Sequence, residues 1–268
     1  METPTTTTEQ RECEKHGPYE ATLYHYAFPG RATNVIASGC LKCEKEQQER
    51  KEAEALERSR RERAGNVAWL KRNFGVPLRF AEADFTAARG ETPETRSAIA
   101  AAKKFADQFP DAAAGGQWLV FIGPPGTGKT HTAAAIGRVA IEKHLAKALY
   151  TTAADMARTM RETFRRDCEH SEQEVFDSFA AAELLIIDEV GTGTSQHDRT
   201  LLFEVIDARY AEGLPGVLIS NLPARELEQY LGERAFDRLA EISRFLAVTG
   251  ASKRKRSGSR ESCEAITA

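Results

Sequence analysis

The sequence predicts an α/β fold in which helices flank a parallel sheet and a smaller module comes first. Short apolar runs alternate with longer helical segments along most of the chain. A glycine-rich turn joins the first of these runs to a helix, and a highly charged stretch separates this region from an N-terminal segment with paired Cys and His residues. With 268 residues, the chain is long enough for one large core and one small module.

The predicted strands and helices alternate as a parallel sheet with right-handed crossovers requires. Strands are expected at residues 118–122, 148–151, 184–188, 217–220 and 245–248, and helices at 95–108, 129–143, 152–166, 171–182, 199–211, 224–231 and 233–239. Ser171 and Glu174 have the spacing of a capping box, which supports the start of one of these helices.

The glycine-rich turn has the spacing of a P-loop. It reads Gly123-Pro124-Pro125-Gly126-Thr127-Gly128-Lys129-Thr130 and lies between an apolar run and an alanine-rich helical run. Its glycines let backbone N–H groups surround phosphates, Lys129 reaches the β- and γ-phosphates, and the Thr130 hydroxyl can bind Mg²⁺. The alternative, a chance glycine-rich turn ending in Lys-Thr, seldom falls between a buried strand and a helix. We therefore expect the chain to bind a nucleoside triphosphate.

A second motif places two carboxylates at the end of a buried strand. Asp188 and Glu189 directly follow a run of four aliphatic residues, as in a Walker B strand. Asp188 is expected to hold Mg²⁺ opposite Thr130, and Glu189 to orient and polarise the attacking water. Alone, two acids after a strand could simply begin a solvated loop. Downstream of a P-loop, they predict nucleotide hydrolysis.

Two Cys/His pairs near the N-terminus predict a zinc site. Cys13 and His16, and Cys40 and Cys43, are each separated by two residues, so that each pair can share a tetrahedral ion. Three thiolates and one imidazole favour Zn²⁺. A disulfide is the competing interpretation, but the chain has an odd count of five cysteines and no secretion signal. His25 is a possible substitute ligand.

Composition limits the other possibilities. Residues 44–63 are almost all charged or polar and predict a solvated helical linker. Gly65 and Asn66 are expected to end this helix. A spacer helix is the preferred interpretation over a specific binding helix. The net charge of -3 argues against general coating of nucleic acid, so any DNA contact requires a local patch. No apolar run approaches the roughly 20 residues that span a bilayer, and the threonine-rich start lacks a signal-peptide core. A soluble, cytoplasmic protein is expected.

Further residues carry a family resemblance. After the P-loop and the Walker B strand come Ile219-Ser220-Asn221-Leu222 and then Leu231-Gly232-Glu233-Arg234-Ala235-Phe236-Asp237-Arg238-Leu239. In this order the motifs resemble the DnaC-type helicase loaders of the AAA+ superfamily, in the DnaC/IstB-like group, and the match covers about two thirds of the chain. The N-terminal Cys/His module resembles that of phage and prophage loaders. The implied domains are a zinc-binding module at 1–43, a charged helical linker at 44–65, an AAA+ ATPase domain at 66–252 and a basic, disordered tail at 253–268.

The resemblance implies roles for single residues. Asn221 would be the sensor 1 residue, whereas without the resemblance it is a strand-end Asn that starts a turn. Arg234 or Arg238 would reach the nucleotide of a neighbouring protomer, with Arg234 favoured, although either could be a surface ion-pair residue. Arg254 would be the sensor 2 residue, unless the basic run around it is only a tail. Hydrolysis would then be slow in an isolated protomer and would need self-association through the AAA+ interface.

The resemblance also implies partners. These are a hexameric replicative helicase, held by the zinc module, and single-stranded DNA, held by the helices between the P-loop and the Walker B strand. Phe164 offers a stacking surface there beside Arg161, Arg165 and Arg166, unless Phe164 packs in the core. Two alternatives remain open at this point: an IstB-type transposition helper ATPase, and a zinc-ribbon nucleic-acid-binding adaptor that binds nucleotide without turnover.

Overall fold

The structure is a computed structural model that describes residues 5–26, 34–88, 90–165, 168–192 and 195–252. The chain divides into two compact units, Met1–Gly65 and Asn66–Ala268. Within the described ranges, no helix combines the length and the apolar character that crossing a membrane requires.

The first unit contains a small antiparallel sheet. Its strands are β1 (Thr5–Cys13), β2 (Gly17–Tyr26) and β3 (Asn34–Ala37), arranged in that order. A tight turn pairs Cys13 with Gly17, whose φ of 73° is easily reached without a Cβ. Among the residues described here, Ala21 and Cys40 are the buried apolar ones. This sheet therefore lacks an aliphatic core of its own.

Helix α1 (Leu41–Asn73) is longer than the sequence predicted. The prediction that Gly65 and Asn66 end the linker helix is wrong, and the boundary between the two units falls within α1. A glycine inside a helix costs only about 1 kcal/mol relative to Ala. Burial of Leu70 in the core of the second unit offsets that cost. Upstream, Arg50 forms an ion pair with Glu54.

The second unit is built on a five-stranded parallel sheet. The strands are β4 (Trp118–Ile122), β5 (Ala148–Thr152), β6 (Leu184–Val190), β7 (Gly216–Ser220) and β8 (Ser243–Ala247), in the order β5-β6-β7-β4-β8. All the predicted strands are present, and the predicted α/β class is confirmed. Gly216 lies opposite Trp118 in the register, where a Cβ would come within 2.7 Å of the indole ring.

Eight helices are described in this unit beyond the end of α1. They are α2 (Pro93–Asp107), α3 (Phe109–Ala114), α4 (Lys129–His144), α5 (Ala153–Glu162), α6 (Glu172–Ala180), α7 (Gln196–Ala211), α8 (Ala224–Leu231) and α9 (Glu233–Ile242), with a short 3-10 turn at Leu78–Phe80. The capping box of Ser171 and Glu174 is present. Helix α3 was not predicted, and α5 ends before the predicted residue 166.

The sheet lies between two apolar layers. Side chains alternate along each strand, so Leu119 and Phe121 join one cluster while Trp118 and Val120 join the other. The first cluster is completed mainly by α2 and α4, and the second mainly by α5, α6 and α7. Because the strands are parallel, their carboxyl ends meet at one edge, where the predicted motif residues lie in the last part of β6 and directly after β4 and β7.

Candidate functional site

The P-loop forms a tight turn between β4 and α4. Gly123, Gly126 and Gly128 have φ values of 149°, 84° and 104°. A Cβ on Gly123 would lie 2.0 Å from the carbonyl oxygen of Val248. Lys129 is buried, and its Nζ donates to the carbonyl oxygens of Gly123 at 2.6 Å and Pro124 at 2.8 Å. To bind phosphates, Nζ would exchange these carbonyl contacts for phosphate oxygens.

Asp188 at the end of β6 is the centre of a hydrogen-bond cluster. It is 4% exposed, and its Oδ2 accepts from the hydroxyl groups of Thr130 and Tyr150, each at 2.7 Å. Its Oδ1 accepts from the backbone N–H of Glu189 at 2.7 Å. Thr130 and Asp188, predicted from separate motifs, are thus in direct contact. Their hydroxyl and carboxylate oxygens are the hard ligands that suit Mg²⁺, so the residues present fit this ion.

Glu189, the residue after Asp188, has an unusual backbone conformation. Its φ of 58° lies in the left-handed region, and the pairing of β6 with β7 is irregular between Ile187 and Val190. A non-glycine residue there costs of order 1 kcal/mol or more and is typical of functional sites. The irregularity leaves the Glu189 side chain exposed beside the buried Asp188.

A cavity of about 330 Å³ brings the predicted nucleotide residues together. Its lining includes the P-loop from Pro125 to Thr130 together with Asp188, Glu189 and Asn221. The lining also includes Arg79 and Phe80, with the Arg79 guanidinium 4.5 Å from the centre of the Phe80 ring. Sequence reasoning missed both, because they precede the P-loop by many residues and belong to no motif. The only sequence signal near them was Pro77, which predicts a turn.

The two predicted finger arginines have different surroundings. Arg238 forms an ion pair with Asp207 and lies 5.4 Å from the centre of the Tyr210 ring. Arg234 is exposed, and its guanidinium lies 5.5 Å from the centre of the Phe203 ring. Arg234 lines a second cavity, of about 390 Å³, whose lining does not include the P-loop. That cavity also contains Arg199, another cation that sequence reasoning missed.

Three of the predicted DNA residues are described in the structure, and they lie at and beyond the end of α5. Phe164 is 62% exposed, so the interpretation that it packs in the core is wrong. Arg161 forms an ion pair with Asp198, and Arg165 is exposed. Two other predicted site residues, Arg166 and Arg254, lie outside the described residues, as does the predicted tail at 253–268.

The four predicted zinc ligands form one cluster in the first unit. The ligand atoms of Cys13, His16, Cys40 and Cys43 all lie within 4.8 Å of one another. The Sγ atoms of Cys13 and Cys43 are 3.5 Å apart, and the Sγ atoms of Cys13, Cys40 and Cys43 lie 3.8, 3.7 and 3.3 Å from Nδ1 of His16. Zn–S bonds of about 2.3 Å in a tetrahedron imply S–S separations of about 3.8 Å. The cluster therefore fits zinc, and these cysteines are free thiols.

Contacts around the cluster orient its imidazole and shift the pKa values of two of its thiols in opposite directions. Nε2 of His16 lies 2.9 Å from Oε1 of Glu46, a carboxylate that orients the ring so that Nδ1 faces the thiols. Backbone N–H groups of Lys15 and His16 lower the pKa of Cys13 to about 6, which favours the thiolate. Hydrogen bonding to Cys13 and burial raise the pKa of Cys43 to about 11. His25 lies elsewhere on β2, where its Nε2 contacts the Thr7 hydroxyl at 2.8 Å.

Comparison with known proteins relates the chain to ATP-binding replication proteins. A family model described as IstB-like ATP binding protein matches residues 49–261. The replicative helicase loader DnaC of Buchnera aphidicola subsp. Schizaphis graminum is 34% identical over 145 residues, which cover 54% of this chain and 57% of that protein. DnaC of Escherichia coli K12 is 29% identical over 193 residues, which cover 70% of this chain and 77% of that protein.

The same relationship is found in three dimensions. A crystal structure of the DnaC helicase loader superimposes with a TM-score of 0.58 at 19% identity, over 65% of this chain and 100% of that chain. This match confirms the predicted AAA+ fold of the second unit. Because the family model matches most of the chain, and includes both the P-loop and the Walker B strand, this protein belongs to the family of IstB-like ATP-binding proteins.

Proposed function

We propose that this protein is an ATP-dependent loader that places a replicative DNA helicase on single-stranded DNA. The observation that supports ATP hydrolysis best is the contact between Thr130 and Asp188 in a cavity that also contains Glu189 and Asn221. The identity to two DnaC loaders supports the choice of a helicase as partner. A cytoplasmic location is part of the proposal.

In the proposed reaction, water attacks the γ-phosphate in line with the leaving group. Lys129 binds the β- and γ-phosphates, and the backbone N–H groups of the P-loop surround them. Thr130 and Asp188 hold Mg²⁺, which when bound neutralises charge on the phosphates. Glu189 orients the water, and the Asn221 amide holds the water or a γ-phosphate oxygen. Arg234 of one protomer acts on the nucleotide of the next, so that turnover requires self-association.

We assign helicase binding to the zinc module. Its fixed turns, held by the four clustered side chains, offer a rigid surface that does not depend on a large apolar core. The partner is a hexameric replicative helicase related to DnaB. ATP in the second unit then serves as the switch that times helicase release.

We assign the binding of single-stranded DNA to the end of α5. The exposed ring of Phe164 can stack on a base, and Arg161 and Arg165 supply positive charge for the phosphates. Arg161 is already paired with Asp198, so DNA binding would have to compete with that ion pair. The affinity of one protomer should therefore be modest and strongly salt-dependent.

An IstB-type transposition helper is the second candidate, favoured by the description of the family model. It would share the ATPase residues and differ in its partner. The Cys13, His16, Cys40 and Cys43 cluster argues for the loader, because transposition helpers of the IstB type usually have a different N-terminal region. The third possibility, an adaptor without turnover, differs in the role of Glu189.

The test measures ATP hydrolysis with and without single-stranded DNA and a DnaB-type helicase, together with the size of the mixture. We expect a stable complex with the helicase and faster turnover with DNA. Glu189→Gln should lower the rate of ATP hydrolysis by on the order of 10²-fold or more, while nucleotide binding persists. Glu226→Gln, at an exposed position on α8, is the matched control and should behave like the unchanged protein.

Each negative result has a distinct meaning. Stimulation by DNA without a helicase complex would move the assignment to the transposition helper, with a transposase as the next partner to test. Full activity of Glu189→Gln in helicase loading would support the adaptor without turnover.

A further inference from the structure

Tyr150, in the middle of β5, contacts the centre of the nucleotide site although it belongs to neither motif. It is 6% exposed, and its hydroxyl donates to Oδ2 of Asp188 at 2.7 Å. The same oxygen accepts from Thr130 at 2.7 Å, and Oδ1 accepts from the N–H of Glu189. A carboxylate has about four acceptor positions. Three donors from three elements therefore fix the orientation of Asp188.

The buried ring of Tyr150 holds its hydroxyl against Asp188. Thr130, in contrast, has to turn its oxygen lone pairs toward Mg²⁺ when the ion binds. Tyr150 is then the side chain that holds the carboxylate in place independently of the metal.

The segment that follows α1 holds Tyr150 in turn. Its backbone N–H donates to the carbonyl oxygen of Phe74 at 2.7 Å, and the two rings meet edge to face with centres 6.3 Å apart. Gly75 has a φ of 80°, and a Cβ there would lie 2.7 Å from the carbonyl oxygen of Tyr150. The Phe74 ring also lies against Gly137 of α4, where a Cβ would lie 2.1 Å from it.

We propose that Tyr150 is a positioning residue for the magnesium-binding carboxylate of Asp188, and that Phe74 and Gly75 set the place of its ring. The inference rests on the proposed ATP hydrolysis and adds a residue that couples the end of α1 to the metal ligands. A shift of Phe74 moves Tyr150 and thereby changes how well Asp188 is oriented for the ion.

The test is Tyr150→Phe, which removes the hydroxyl and keeps the ring. Binding of a fluorescent ATP analogue is titrated with Mg²⁺, and hydrolysis is measured in the same titration. The variant should need roughly 3- to 10-fold more Mg²⁺ for half-maximal binding, the ratio expected for the net contribution of one typical hydrogen bond. Binding of the analogue in excess chelator should not change.

Tyr210→Phe is the matched control. The Tyr210 hydroxyl donates to Oε2 of Glu241, also at 2.7 Å, but these residues lie outside the nucleotide cavity. This control loses a tyrosine–carboxylate hydrogen bond of the same length and should keep the unchanged Mg²⁺ requirement. Thermal unfolding of both variants separates a metal effect from a loss of structure.

Equal Mg²⁺ requirements for analogue binding in Tyr150→Phe and the unchanged protein would overturn the positioning role. If Tyr150→Phe does not fold, Phe74→Leu takes its place, because it keeps the hydroxyl and changes only the packing of the ring. An unchanged Mg²⁺ requirement in Phe74→Leu would likewise overturn the inference. A protein that binds nucleotide with Mg²⁺ but hydrolyses none would instead contradict the proposed function, and the binding titration would still decide the role of Tyr150.

Discussion

At the scale of single residues, the surroundings of two arginines separate their roles. Arg238 is neutralised by Asp207, whereas Arg234 is exposed above the Phe203 ring and has no ion pair within the described part of the chain. A trans-acting arginine must be free to leave its own protomer. We therefore expect Arg234→Ala to lower hydrolysis in the assembled state by on the order of 10³-fold, with nucleotide binding retained.

Arg238→Ala is the comparison for this prediction. It should lower the thermal stability, because it leaves the half-buried Asp207 without its partner, by about 1 kcal/mol. Its hydrolysis rate per folded protomer should change little. Both variants are measured by ATPase assay at several protein concentrations and by thermal unfolding. The opposite pattern, with activity lost only in Arg238→Ala, would assign the trans role to Arg238.

Some residues of the nucleotide site can be predicted from the sequence, and others cannot. Lys129, Thr130 and Asp188 could be predicted because spacing within a motif fixes their chemistry. Tyr150 and Arg79 could not, because tertiary contacts alone bring them to the site. A single tyrosine in a strand is compatible with ordinary packing, and its partner lies 38 positions along the chain.

At the scale of elements, one buried arginine ties a helix end to a strand. Arg209 on α7 is fully buried and donates to the carbonyl oxygens of Phe179, Ala180 and Ala182 at the end of α6, and of Pro215 before β7. The carbonyls of Phe179 and Ala180, at the end of α6, have lost the next helical turn as a source of donors. Burial lowers the pKa of Arg209 to about 10, so the guanidinium remains charged at neutral pH.

Arg209→Met should therefore destabilise the second unit strongly. Several buried carbonyl groups would lose their donor, and we expect a loss of about 3 kcal/mol or more in the free energy of unfolding. Arg158→Ala removes an exposed ion pair with Asp155 on α5 and should cost less than about 1 kcal/mol. Chemical denaturation of the two variants measures the difference. Similar small losses in both would show that water replaces the guanidinium.

Element boundaries were harder to predict than element types. The strands follow from apolar runs, and helix α6 follows from its capping box. The end of α1 depends on Leu70 packing in a distant core, which outweighs the local preference of Gly65 to end the helix. Helix α3 begins at Phe109 with a proline in its first turn, a position that tolerates proline but reads locally as a break.

At the scale of the whole molecule, the two units have different sources of stability. The apolar clusters of the second unit begin at Leu70 along the chain and contain many fully buried side chains. The described part of the first unit buries little apolar area, and its cross-link is the Cys13, His16, Cys40 and Cys43 cluster. Zinc binding should therefore supply most of the folding free energy of the first unit.

Removal of the metal is expected to unfold one unit and spare the other. A strong zinc chelator, or Cys40→Ala, should speed hydrogen exchange throughout β1 and β2, while β4 and β6 stay protected and nucleotide binding persists. Cys168→Ala, which removes an exposed thiol outside the cluster, should leave exchange in every strand unchanged. Helicase binding should be lost together with the metal, since the proposed contact depends on the folded module. Slow exchange in β1 and β2 after complete metal removal would contradict this prediction, because it would mean that hydrogen bonds alone hold the small sheet. Any loss of helicase binding in that case would have to come from a role of the metal in the contact with the helicase.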